Sequence, residues 1–275
     1  MLNYPWHIEL EITNKCMLAC PMCPHHIMKR KQGFMSFETL EKVITESRGK
    51  SRTCYLHMIG EPLLHNELIP FINYVSAAGI RTSISTNAML LDEKMCNALF
   101  SSRLNELTLA LDSLEKPVFE TLRKGANFER VMGNINRCLA IRRKTKTKTQ
   151  LELQVIVMKE NVEEVPLFKQ MYEPQMKGIG KLLIKGYSTF AGYVPDKSPT
   201  KTPPRRNTCG KLWNSTAIQW NGDVVICCRD FEGFTKVGNI MESSLSEIWK
   251  NDLYQKHRLA LKKKDFTKLD FCKEC

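Results

Sequence analysis

The chain has 275 residues, 43% of them hydrophobic, which is enough for one large core or for one core with a small appendage. Its first residues, MLNYPWHIELEITNK, lack a basic start followed by an apolar run, and no stretch of about 18 apolar residues occurs, so a soluble cytoplasmic protein with no membrane contact is expected. The net charge of +12 would suit an acidic partner such as nucleic acid, but the basic runs Lys29–Lys31, Arg142–Lys144 with Lys146 and Lys148, and Lys262–Lys264 carry no interleaved aromatics; each reads as solvated surface.

Along the chain, short apolar segments alternate with longer amphipathic ones, the pattern of βα units around a parallel sheet. Strands are expected at about His7–Thr13, Thr53–Ile59, Ile80–Thr86, Glu106–Leu111, Leu151–Met158 and Lys181–Gly186. Helices are expected at Phe37–Ser47, capped by Ser36, and at Glu67–Ala78, Glu93–Ser101, Phe128–Arg143 and Val165–Met171. Six such units predict an α/β fold, a partial (β/α)6 barrel over residues 1–190, with ligands at the C-terminal ends of the strands. The pattern fades into Ser188–Thr208, which contains Pro195, Pro199, Pro203 and Pro204, and residues 191–208 read as a linker. Residues 209–275 form a second, smaller unit. There Thr216–Trp220 and Asp223–Cys227 flank Asn221-Gly222, a hairpin signal in which both turn positions need positive φ, and a helix follows near Ser244–Leu261.

Eleven cysteines in a reducing compartment point to metal rather than to disulfides. Cys16, Cys20 and Cys23 follow the first strand, and three thiolates leave one position of a tetrahedral zinc site or one iron of a 4Fe-4S cluster open. A zinc knuckle completed by His25 or His26 satisfies the same spacing. Cys209, Cys227, Cys272 and Cys275 make a closed set of four, which coordination chemistry alone allows to hold either a cluster or a structural zinc. Cys228 is a spare that could replace Cys227. Cys54, Cys96 and Cys138 fall inside predicted elements and read as core.

The segment CMLACPMC resembles the Cys-x3-Cys-x2-Cys motif of radical S-adenosylmethionine (SAM) enzymes, with Met22 where that family usually has an aromatic residue. Further matches follow in family order. Gly60-Glu61-Pro62, with Ile59 in place of a first glycine, resembles the element that receives the SAM ammonium. Ser85, Thr86 and Asn87 resemble the polar group at its ribose or methionine end, although each alone also suits a helix cap. Asp112-Ser113 and Arg123 resemble the segment that offers a partner to the SAM carboxylate. This resemblance spans about residues 7–190. CGKLWNSTAIQWNGDVVICC, VGNI, SLSEIWKNDLYQKHR and the final CKEC resemble the auxiliary-cluster domains called SPASM and, in the shorter form that fits here, twitch. The resemblance implies a SAM-binding [4Fe-4S] cluster on Cys16, Cys20 and Cys23, a second [4Fe-4S] cluster on Cys209, Cys227, Cys272 and Cys275, SAM itself, and an external electron donor such as flavodoxin or ferredoxin.

It further implies that reductive cleavage of SAM yields a 5′-deoxyadenosyl radical that takes hydrogen from an unactivated carbon. A closed auxiliary cluster can accept a second electron, so the expected reaction is dehydrogenation of an alcohol on a sugar or aminocyclitol, similar to that of twitch aminocyclitol dehydrogenases. Lys185 or Tyr187, at the end of the sixth strand, is a candidate acceptor for the hydroxyl proton. Peptide modification by thioether formation or epimerisation is the main rival; only fifteen residues precede Cys16, too few for the peptide-recognition domain many such enzymes carry. A sugar epimerase or dehydratase, and a zinc-containing nucleic-acid-binding protein, are the remaining alternatives.

Overall fold

A computed structural model describes residues 2–200, 209–265, 267 and 269–272. Six parallel strands, β1 (His7–Leu10), β2 (Thr53–Tyr55), β3 (Arg81–Thr86), β4 (Glu106–Ala110), β5 (Gln150–Val157) and β6 (Gly180–Gly186), lie side by side in chain order. They form the expected partial (β/α)6 barrel. Three further strands, β7 (Ser215–Ile218), β8 (Asp223–Val225) and β9 (Lys236–Asn239), continue the same sheet, because β7 pairs in parallel with β1 from His7↔Ser215 to Leu10↔Ile218.

Residues at every second strand position divide the two faces. Leu151, Leu153 and Val155 on β5, and Ile8 and Leu10 on β1, are fully buried beneath the helices, whereas Gln154, Ile156, His7 and Glu9 line the barrel's interior cavities. The helices begin where side chains cap them. Ser36 Oγ accepts from Thr39 N at 3.1 Å before α1 (Phe37–Ser47), and Asp92 accepts from Met95 N at 2.7 Å before α3 (Glu93–Ser101). Between them lies α2 (Leu68–Ala77). After β4 come α4 (Lys116–Leu122) and α5 (Phe128–Lys144), and α6 (Val165–Met176) precedes β6.

The structure corrects several sequence expectations. Helix α4 was not anticipated: Pro117 occupies its first turn, where a missing N–H costs nothing. Helix α6 runs past Met171 despite Pro174, because Phe168, Tyr172 and Met176, four residues apart, all bury against the core. The single C-terminal helix is two, α8 (Leu245–Lys250) and α9 (Asp252–Lys262), preceded by a short α7 (Lys211–Asn214); Asn251 between them is extended and caps α9 by accepting from Tyr254 N. In the β7–β8 connection only Gly222 has positive φ. Gln219 N donates to Asp223 O at 2.8 Å, so Trp220-Asn221-Gly222 forms a three-residue loop. The basic runs are not all surface either. Arg142 is buried and donates to Thr149 O, and Arg30 forms an ion pair with Glu11, which is fully buried. Cys54, Cys96 and Cys138 are fully buried, as expected of core residues. Among the described residues no helix is long and apolar enough to cross a membrane.

Candidate active site

The loop after β1 carries Cys16, Cys20 and Cys23 across the C-terminal end of the sheet. Its backbone is pinned by Ala19 N donating to Lys124 O and Cys23 N to Cys20 O, both at 2.9 Å. The three thiols open on one cavity, which Gly60, Glu61, Ser85, Asn87 and Arg123 also line. Leu18, Met22, Leu122 and Met158 form a small apolar cluster around the thiols. Burial pushes Cys16 up to about 11 and Cys23 up to about 12, and raises Cys20 as well. Such thiols stay protonated at neutral pH unless a bound cation takes them as thiolates. Three thiols around one polar-rimmed cavity suit an iron–sulfur cluster in which each thiolate binds its own iron. Among the described residues no three His, Cys, Asp or Glu side chains close on a single-ion site.

The neighbouring strand ends are locked together by Glu61. Its carboxylate accepts from Thr86 Oγ1 at 2.7 Å, Asn87 N at 2.8 Å and Leu63 N at 3.1 Å, so burial raises its pKa while these donors oppose the rise. The side chain therefore staples the end of β2 to the end of β3. Gly60 lies close against the first loop: an added Cβ would sit 2.5 Å from Thr13 O. Asn87 Nδ2 is 3.8 Å from Cys16 Sγ. Pro62 and Asp112 do not line the cavity. Pro62 opens a 3-10 turn, and Asp112, with a fully buried side chain, holds Arg123 through contacts of 2.5 and 2.7 Å while accepting from Ile156 N at 2.9 Å.

A second cavity, of about 440 Å³, adjoins the first and shares Met22, His57, Met58, Ile156 and Phe190 with it. Lys185 and Tyr187 both line it. The Tyr187 hydroxyl, however, donates to Pro195 O at 2.8 Å, and burial pushes its pKa up to about 12. Sequence reasoning missed His7, Glu9, Tyr55, His57, Lys211 and Arg229, which also line this cavity. The available signal was the polar residues at alternate positions of strands that are otherwise apolar, as in His7-Ile8-Glu9-Leu10. His57 is neutral at physiological pH because burial lowers its pKa to about 4, and its Nδ1 is buried without a hydrogen-bond partner.

Cys228 also faces this cavity, 3.2 Å from Lys211 Nζ, which forms an ion pair with Glu9. Of the second cysteine set, Cys227 and Cys272 are half-buried against the main core and Cys209 is exposed just ahead of α7; Cys275 lies outside the described residues. Asp230 shapes the loop after Cys228 by accepting from Gly233 N, Phe234 N and Thr235 N. Arg30 donates to Phe231 O while it pairs with Glu11, which ties the first cysteine loop to this unit.

Comparisons with known proteins agree with this arrangement. Residues 10–168 match the radical SAM superfamily and residues 209–275 the SPASM iron-sulfur cluster-binding domain. The chain is 24% identical over 282 residues to the S-adenosyl-L-methionine-dependent 2-deoxy-scyllo-inosamine dehydrogenase of Niallia circulans, covering 98% of this chain and 91% of that one. It is 22% identical over 303 residues to the tungsten-containing aldehyde ferredoxin oxidoreductase cofactor-modifying protein of Pyrococcus furiosus, with 93% and 84% covered. Among solved structures, BtrN in complex with AdoMet and 2-DOIA superposes with a TM-score of 0.68 at 21% identity, covering 100% of this chain and 94% of that one. Streptococcus suis SuiB bound to the precursor peptide SuiA gives 0.73 at 16%, covering 93% and 67%. At these identities the superpositions establish the fold.

Proposed function

The chain belongs to the radical SAM superfamily, and on that premise we propose that it dehydrogenates an alcohol carbon of a small hydroxylated substrate, a sugar or an aminocyclitol. The observation that carries this reading is the second cavity. It adjoins the cysteine-rimmed cavity on one side and is walled by Cys228 and Arg229, next to Cys227, on the other. A substrate there would lie between the cysteine-rimmed cavity and the segment that carries Cys227, which is where a two-electron oxidation needs it.

Cys16, Cys20 and Cys23 would hold the SAM-binding [4Fe-4S] cluster, and Cys209, Cys227, Cys272 and Cys275 the auxiliary one. Once bound, the first cluster and SAM supply hydrogen abstraction from carbon, and the auxiliary cluster an acceptor for the second electron. The chain's own part is binding, orientation and proton handling. Gly60, Ser85, Asn87 and Arg123 line the cavity that would receive SAM, and Glu61 and Asp112 keep Asn87 and Arg123 in place. His57, on the wall common to both cavities, would orient the hydroxyl, but burial lowers its pKa to about 4 and opposes its taking the proton; Lys185, on the wall of the second cavity, would be the acceptor. Tyr187 is disfavoured as that acceptor by its own hydrogen bond to Pro195 O. The full-length similarity to a dehydrogenase supports oxidation; an external reductant such as flavodoxin or ferredoxin would deliver the first electron.

The test is anaerobic reconstitution with iron and sulfide, followed by measurement of iron, sulfide and zinc and of dithionite-driven 5′-deoxyadenosine formation. About eight irons per chain, SAM cleavage lost in Cys16→Ala, and one ketone formed per SAM cleaved from a sugar or aminocyclitol are the expected results. A modified peptide, or an epimerised or dehydrated sugar without ketone, would move the assignment to peptide maturation or to a redox-neutral reaction. Bound zinc without SAM cleavage would overturn the radical chemistry.

A further inference from the structure

We propose that residues 187–195, which follow β6, form a strap over the junction of the two cavities, with Phe190 as the side chain that meets the bound ligands and Tyr193 as the residue that holds it there. This rests on reading the cysteine-rimmed cavity as the SAM site. Phe190 lines both cavities. The other residues common to the two, Met22, His57, Met58 and Ile156, come from the first cysteine loop, the segment after β2 and β5, so Phe190 is the strap's own contribution to the shared wall.

The backbone at Phe190 is left-handed, with φ of +49°, and Ala191 and Gly192 follow at +61° and +86°. A bulky residue rarely adopts that conformation, and such strain persists where the surrounding structure enforces it, typically at ligand clamps and switch segments. Core packing does not account for it here. Phe190 is half-buried and belongs to neither apolar cluster of the molecule, and Ala191 and Val194, although buried, also lie outside both.

Local hydrogen bonds and one aromatic stack hold the strap instead. Phe190 N donates to Ser188 Oγ at 3.3 Å, Gly192 N to Thr189 Oγ1 at 3.2 Å and Val194 N to Thr189 O at 3.1 Å, while the Tyr187 hydroxyl donates to Pro195 O and closes the base. Tyr187 also packs against the apolar cluster around the first three cysteines. Among the described residues, every hydrogen bond of residues 188–194 stays within 187–195. The tip is fixed by Tyr193, whose ring stacks on Phe234 at 5.1 Å and 15° and meets Phe231 edge-on at 5.3 Å. Both partners belong to the second unit. The strap can therefore lift as one piece by parting aromatic contacts, with no hydrogen bond lost, and its closed position depends on the unit that carries the second cysteine set. A ligand gains the Phe190 contact only when the strap is down, so ligand binding favours closure.

The test uses reconstituted holoenzyme with SAM as the probe and needs no turnover. Hydrogen–deuterium exchange over residues 188–194 should slow at least about threefold when SAM binds. Phe190→Ala should bind SAM about tenfold more weakly by calorimetry and lose that protection, whereas Phe190→Leu should recover most of the affinity. At saturating SAM, the change that SAM induces in the electron paramagnetic resonance signal of the reduced cluster should also be smaller in Phe190→Ala. Tyr193→Ser, at a residue that lines neither cavity, should weaken SAM binding about threefold and speed exchange of the strap. Because Phe190 lies outside the core, Phe190→Ala should keep the wild-type iron content and, without SAM, a melting temperature within about 2 °C of wild type. Unchanged SAM affinity in Phe190→Ala, exchange indifferent to SAM in the wild type, wild-type behaviour of Tyr193→Ser, or a ligand-free Phe190→Ala protein that melts well below wild type would each overturn the proposal. A SAM-dependent strap in an enzyme that forms no ketone would sink the dehydrogenase reading and leave this one standing.

Discussion

Replacing Asp112 by Asn should expose how much the cysteine-rimmed cavity depends on a residue that does not line it. Asp112 is fully buried, and Arg123, its only ionic partner among the described residues, has a side chain 12% exposed. The Asn variant keeps an acceptor for Ile156 N but leaves the guanidinium without its counter-charge. Breaking a buried pair from one side costs about 3–5 kcal/mol. The cavity moderates this toward about 3 kcal/mol, or roughly 6 °C in melting temperature for a chain of this size. Asp112→Ala adds the orphaned Ile156 N–H, 2.9 Å from Asp112 Oδ1, at about 1–2 kcal/mol more. The double variant Asp112→Asn with Arg123→Met contains no unpaired charge and should recover about 2 kcal/mol relative to the sum of the single losses. Thermal melts under anaerobic conditions, followed by circular dichroism, measure the wild type, Asp112→Asn, Asp112→Ala, Arg123→Met and the double variant. A loss below about 1 kcal/mol in Asp112→Asn, or a double variant no better than additive, would refute the idea that Asp112 acts by compensating Arg123.

Two further outcomes follow from local geometry. His57 has a folded pKa of about 4 against an ordinary value of 6.5, so between those values the unfolded chain binds a proton that the folded one does not. Stability should fall as pH drops through that window and be indifferent to His57 above it; the acid limb of His57→Asn should be shallower by about 1–2 kcal/mol at pH ~5, and parallel urea-denaturation curves at the two pH values would contradict this. Gly60→Ala combines φ +103 with a Cβ 2.5 Å from Thr13 O, whereas Gly79→Ala combines φ +79 with open space. The first should cost about 2–4 kcal/mol and weaken SAM binding, the second about 1 kcal/mol with binding intact; equal effects in melting and SAM titration would show that the contact with the first loop is unimportant.

Much of the molecule is written in short-range pattern. The six parallel strands, the Ser36 cap and the helix over Phe37–Ser47 follow from apolar periodicity and capping chemistry, because those signals act within one or two turns of chain. The motif residues were legible as short family motifs in chain order, and the barrel brings Cys16, Gly60, Ser85 and Arg123 to one cavity. Local pattern misled where tertiary packing outweighed it. Helix α6 passes through Pro174 for the sake of three buried side chains, and Arg142 leaves the surface to satisfy the Thr149 carbonyl.

The amino-acid sequence alone determined the superfamily, the order of the barrel strands and the two spaced sets of cysteines. Only the tertiary structure decided what lines the second cavity. The pairing of β7 with β1 brings Lys211 to Glu9 across 202 residues, and the same closure sets Cys228 and Arg229 in one cavity with Lys185 and His57. No local propensity encodes such a meeting. It arises from the register of strands far apart in the chain, and that register is set by the burial of Ile8, Leu10 and Ile218 on the opposite face of the sheet.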